Sequence, residues 1–149
     1  MRFPFSLQPF LDWKRNLEEV AQIRLTAKLT LLKAQEEEIE KLILKRLAYE
    51  EALRNKTSRG IPAPEYVLYK QFSEESRMEL KTREQKKKEM IREIEQDREK
   101  LVQLSKEKKI LERLKEKKQK AFLYQAEKSE QKRNDEMVIT RHRPRSPRS

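Results

Sequence analysis

Apolar residues recur along this chain at steps of three and four with charged residues between them, a period that belongs to amphipathic helices and not to strands. In the first third, Trp13, Leu17, Val20, Arg24, Ala27, Leu31 and Ala34 step alternately by four and three. A second series, Leu32, Ile39, Leu42 or Ile43, and Leu53, takes over from it. The seam is therefore expected to drift around the helix, as a straight helix does against a strict seven-residue repeat. Beyond residue 65 a longer stripe reads Phe72, Leu80, Met90, Ile94, Leu101, Leu104, Leu111 and Leu114, with Phe122 further on; Lys87, Asp97 and Lys108 are gaps in it.

Between the two patterns stand the only glycine, Gly60, and two of the six prolines, Pro62 and Pro64. Glycine is too free and proline too hindered to continue a helix. The reading is all-α: a helix over about 7–55, a corner over 56–64 and a helix over about 65–140, forming one antiparallel coiled-coil hairpin domain. Ser6 is the expected N-cap of the first helix, with Pro9 in its first turn. Pro64 opens the second, and Glu65 suits its positive end. At 1.5 Å per residue the helices are roughly 70 and 110 Å long, so the second overhangs the first at its C-terminal end. Facing residues should have numbers that add to about 120, which pairs Val20 with Leu101, Ala27 with Ile94, Leu31 with Met90 and Leu53 with Val67. Residues after about Leu114 then lack a partner from the first helix. The last stretch, 141–149, is a basic Pro/Ser tail expected to be disordered.

Composition sharpens this picture. Charged residues make up 42% of the chain and aromatics 7%, so the buried surface is a thin seam and not a thick core. Disorder is the competing reading of such polarity, and the helical spacing of the apolar residues decides against it. No cysteine is present, so disulfides and thiolate metal sites are excluded. No apolar run approaches the roughly 20 residues of a membrane span, and Pro4 interrupts the start too early for a signal peptide.

The net charge of +11 admits nucleic acid, an anionic membrane or an acidic protein as partner. The basic runs at residues 86–88 and 106–120 are interleaved with glutamates, the pattern of a solvated helix face carrying i,i+4 pairs. No catalytic set is visible. His142 is the only histidine, one glycine cannot build a phosphate loop, and Glu36, Glu37 and Glu38 point in different directions around a helix. Catalysis, a metal and a cofactor are not expected. Two aromatic groups stand out. Phe3, Phe5, Phe10 and Trp13 either pin the helix start or dock a partner. Tyr49, Tyr66, Tyr69 and Phe72 either cap the seam at the corner or offer a contact site, with Tyr49 beside Phe72.

Several runs together resemble the flagellar export protein family FliJ. They are Phe3-Pro4-Phe5-Ser6-Leu7-Gln8; Glu37-Glu38-Ile39-Glu40-Lys41-Leu42 on to Tyr49 and Leu53; Gly60-Ile61; Tyr69-Lys70-Gln71-Phe72; residues 111–117; and Glu130-Gln131-Lys132-Arg133-Asn134-Asp135-Glu136. The resemblance implies a cytoplasmic, non-enzymatic component of the type III export apparatus, lying at the cytoplasmic face of the membrane without inserting into it. Such proteins resemble the gamma stalk of rotary ATP synthases. They sit in the pore of the hexameric export ATPase FliI, contact the export gate protein FlhA and bind export chaperones. Carried onto this sequence, the gate surface falls on Leu42, Tyr49 and Phe72, while Lys45, Ser76 and Glu79 depart from the apolar types expected nearby. The pore contact falls on Phe5, Leu111, Leu114, Lys115, Gln131, Asp135 and Glu136. Two alternatives are a basic coiled-coil adaptor for nucleic acid and the equivalent stalk of a virulence secretion system; the terminal Glu-Gln-Lys run favours the flagellar version over the latter.

Overall fold

The computed structural model describes residues 2–141, so the expected tail from His142 onward lies outside the described residues. Two helices make up the described chain, α1 (Gln8–Arg59) and α2 (Ala63–Arg141), packed as an antiparallel hairpin with no strand among the described residues. The corner is only Gly60, Ile61 and Pro62, shorter at both ends than the sequence signals suggest. Thr57 Oγ1 donates to the Leu53 carbonyl and Ser58 Oγ to that of Asn55, which carries α1 on to Arg59. Gly60 then takes φ = 89°, the left-handed conformation that ends a helix, and its N–H bonds to the Thr57 carbonyl at 3.3 Å. The first ladder bond of α2 runs from Tyr66 N–H to the Pro62 carbonyl, 3.1 Å. Pro64 thus sits inside the first turn, where its missing donor costs little.

The start of α1 differs from expectation in its cap. The Leu11 N–H bonds to the Leu7 carbonyl at 2.9 Å, so the ladder begins at Leu7, and the Gln8 N–H turns back to the Phe5 carbonyl at 3.0 Å. That turn replaces a Ser6 cap and folds the short segment before the helix onto the hairpin.

The packing divides into two units: Glu18–Gln103, and the chain before and after it, up to Leu17 and from Leu104. Between residues 21 and 46 the shielded positions of α1 are Ala21, Leu25, Lys28, Leu32, Gln35, Ile39, Leu42 and Arg46, a strict alternation of four and three. Between residues 76 and 101 those of α2 are Ser76, Leu80, Arg83, Lys87, Met90, Ile94, Asp97 and Leu101, with the same alternation. The seam therefore does not drift. The first expected series is one residue out of register: Val20, Arg24, Ala27, Leu31 and Ala34 face solvent, and Val67 is exposed as well, so the pairs expected from them are not the seam contacts. Ile39, Leu42 and Ile94 are nearly fully buried, each worth about 1.5–3 kcal/mol.

Between the apolar layers, Lys28, Gln35, Lys87 and Asp97 are polar seam positions that find partners across the helices. Lys28 Nζ lies 2.7 Å from Asp97 Oδ2 and 3.9 Å from Glu93 Oε2. Lys87 lies 3.8 Å from Glu36, and the Gln35 amide donates to the Arg83 carbonyl at 3.5 Å. The supposed gaps at Lys87 and Asp97 are thus layers of the seam itself. Lysine stems cover apolar neighbours while the ammonium reaches a carboxylate.

In the other unit Leu11, Phe5 and Leu111 form the core, with Phe3 and Leu114 packed against them, and Leu11 is 0% exposed. Phe3 stacks on Phe5 with centroids 6.4 Å apart and meets Phe122 at 5.5 Å. The segment before α1 thereby covers α2 as far as Phe122, further than expected from α1 alone. From Leu123 to Arg141 every residue of α2 is exposed.

Candidate protein-interaction surfaces

At the corner, the heptad register of α1 places Tyr49 three residues after Arg46 and four before Leu53, in line with the seam. The N-terminal turns of α2 bring Tyr69 and Phe72 opposite. Tyr49 and Phe72 stack with centroids 3.9 Å apart and planes 25° apart, and Tyr69 meets Tyr49 at 5.8 Å, tilted by 58°. Close stacking of this kind adds about 0.5–1.5 kcal/mol to area burial. Tyr66 takes no part in the stack. It sits 38% exposed with Lys70 Nζ 5.7 Å from its ring centroid, because the shielded row through Phe72 and Tyr69 reaches back to Glu65 and leaves Tyr66 one residue off it.

Lysines ring these aromatics. Lys45 lies 5.5 Å from the Phe72 centroid and Lys56 5.3 Å from that of Tyr69. Lys56 also bridges the two helices to Glu65 at 2.5 Å. That bond, together with one to Tyr69, raises the Lys56 pKa above its ordinary 10.5. A cleft of about 120 Å³ opens beside the stack, lined by Arg46, Tyr49, Tyr69, Lys70, Phe72 and Ser76 among others.

The three residues expected to meet the export gate therefore differ in availability. Tyr49 is 41% exposed, Phe72 is half-buried, and Leu42 is buried in the seam beneath. Ser76, one of the departures, is 3% exposed with its hydroxyl donated to the Ser73 carbonyl; Glu79 is exposed and pairs with Arg83 at 3.2 Å. Lys45 is the departure that joins the site, as the cation on Phe72. Tyr69 was in the aromatic group expected at the corner, whereas the cations Lys45 and Lys56 on these rings were not assigned to it from sequence.

The second surface lies in the unit holding the chain termini. Of the expected pore contacts, Phe5 and Leu111 are buried core, Leu114 and Lys115 are half-buried, and Gln131, Asp135 and Glu136 are exposed. Phe5 and Leu111 pin the segment, and the freely presented side chains are those further along α2. Leu123, Tyr124, Met137, Val138 and Ile139 are between 52% and 67% exposed there. The run Met137-Val138-Ile139 was readable from sequence as three consecutive apolar residues on a polar helix. On α1, Phe10 and Trp13 are 44% and 51% exposed, and Lys14 lies 5.5 and 5.0 Å from their centroids while also pairing with Glu107. The N-terminal aromatics thus split: Phe3 and Phe5 pin, and Phe10 and Trp13 remain open.

Among the described residues no group of His, Cys, Asp or Glu could hold a metal ion, and no helix is long and apolar enough to cross a membrane. What the two surfaces offer is contact: rings with cations at the corner, and an uncovered helix beyond Phe122. A search of curated proteins and a search of solved structures each found no match. The family model described as flagellar FliJ protein matches residues 3–146, nearly the whole sequence. With that match over an all-helical hairpin, the chain belongs to the flagellar FliJ protein family, and with it to the machinery of flagellar protein export.

Proposed function

We propose that this protein is a non-enzymatic stalk of the export apparatus. The uncovered end of α2 occupies the central pore of the hexameric ATPase FliI and promotes its assembly and ATP hydrolysis. The ring stack at the corner contacts the export gate protein FlhA, and the protein escorts export chaperones between them. It works in the cytoplasm, at the cytoplasmic face of the membrane.

The observation that carries this reading is α2 from Leu123 to Arg141, a helix of several turns whose apolar side chains have no cover. Exposed apolar residues on an isolated helix cost solubility unless a partner buries them. A ring of subunits buries a helix from all sides at once, which suits apolar residues spread around it in place of one stripe.

Truncation after Phe122 tests it, because among the described residues nothing beyond that point is shielded and the packing should survive its loss. The shortened chain should keep its corner and seam yet no longer stimulate ATP hydrolysis by the hexamer. Undiminished stimulation would refute the pore assignment. Separately, Tyr49→Ala with Phe72→Ala should weaken binding to the gate protein with little change in helicity; a collapse of helicity would assign the rings to packing instead.

A further inference from the structure

Within Glu18–Gln103, α1 carries two rows of heptad spacing, one residue apart. The row Ala21, Leu25, Lys28, Leu32, Gln35 forms the seam. The row Val20, Arg24, Ala27, Leu31, Ala34 has the same alternation of four and three, is more apolar, and faces solvent. Val20 is 47% and Leu31 62% exposed, and Ile23, on the flank of the row, is 65% exposed. Arg24 is the only charge in the row, in a chain of which 42% is charged. Leu31 and Met90 share a groove of about 330 Å³ between α1 and α2, rimmed by Lys28, Lys86, Glu89 and Glu93.

We propose that this outer row seats a helix of another protein, one with apolar residues at alternating steps of three and four and a carboxylate opposite Arg24. The spacing argues for a helix, since only a helix lying nearly along α1 meets positions repeating every seven residues. The charge argues for the carboxylate. Arg24 makes no ion pair among the described residues; Asp97 feels its charge but is held by Lys28 at 2.7 Å. A covering helix would strip water from the guanidinium, which is strongly unfavourable without a counter-ion.

The same charge argues against a second copy of this chain. An antiparallel two-fold pairing about Ala27 sets Arg24 against Thr30 and Leu31, and a parallel pairing sets it against another Arg24. The acid that continues the row at the same spacing, Glu38, comes opposite Arg24 in a pairing about Leu31, but it is already held by Lys41 at 3.6 Å. The occupant is thus a different, acidic helix. This inference rests on neither the pore nor the gate assignment, which use other residues.

The test uses the full chain and two synthetic three-heptad helical peptides, with leucine at the seam positions and either Glu or Lys at one central flanking position. Fluorescence anisotropy reads binding, and circular dichroism reads the fold. The Glu peptide should bind, and the Lys peptide should bind about tenfold more weakly or worse. Arg24→Glu should reverse that preference. Leu31→Glu should abolish binding of both peptides with helicity unchanged, since Leu31 is outside the seam. Absence of binding by either peptide would overturn the proposal. So would equal binding of both to the parent chain and Arg24→Glu, or binding indifferent to Leu31→Glu. Sedimentation of the parent chain as a dimer that Leu31→Glu dissolves would assign the row to self-association and overturn it as well.

Discussion

Replacing Leu11 by Ala should loosen one unit of the hairpin selectively. Among the described residues Leu11 is the one large side chain with no exposed surface, enclosed by Phe5 and Leu111 with Phe3 and Leu114 around them. Truncation removes three carbon groups at about 0.8 kcal/mol each, and a residual cavity adds to that. Phe3 and Phe5 come from a short non-helical segment, so they can settle into part of the space. That places the loss near the low end of the Leu→Ala range, about 2–3 kcal/mol. Native-state hydrogen exchange reads it locally. Amides of residues 8–17 and 104–114 should exchange roughly 30- to 150-fold faster, at one decade per 1.36 kcal/mol. Amides near Ile39, Leu42 and Ile94 should change far less. Equal acceleration throughout the chain would refute the division into two units. No acceleration near Leu11 would refute its role as the anchor.

Three further outcomes follow from the geometry. Hydrogen bonding from Lys28 holds the Asp97 carboxyl below its ordinary 3.8, against the opposing effect of burial. The folded value lies below the unfolded one, so this stabilisation is full above the ordinary carboxylate range and drains away as pH falls through the lowered value. Asp97→Asn should therefore lower the urea midpoint at pH 7 and make little difference at strongly acid pH; a gap that persists in acid would contradict it. Lys56 behaves inversely: its pKa is raised by Glu65 and Tyr69, so its contribution holds below 10.5 and disappears as pH rises through the raised value. The gap in thermal midpoint between the parent chain and Lys56→Met should close only at strongly alkaline pH. Gly60→Ala meets no atom within 4 Å, so only the φ of 89° opposes it, and it should destabilise the corner by about 1–2 kcal/mol in thermal melts. Gly60→Asn should cost less, because asparagine tolerates that conformation better.

Much of the architecture was legible because it depends on local chemistry. One glycine beside two prolines can stop a helix wherever they occur, and uninterrupted good helix formers on either side leave no alternative to two helices and a bend. The stacking of Tyr49 on Phe72 was also legible, since an antiparallel hairpin with its bend at Gly60 brings those positions together. The cap at Leu7 was not, because it depends on the segment before α1 folding back to bury Phe3 and Phe5.

The amino-acid order by itself determined that this chain forms two helices, where they turn, and that α1 carries heptad rows. Which row becomes the seam was decided only in three dimensions. Judged by hydrophobicity, Val20, Ala27 and Leu31 should have been inside; Ala21, Lys28 and Gln35 are there instead. Periodicity ranks a row by how apolar it is, whereas packing ranks it by what the opposite helix presents. Here α2 presents Asp97 to Lys28 and a backbone carbonyl to Gln35, so over residues 20–35 the row that carries those two matched polar groups lies within and the more apolar row beside it is left facing water.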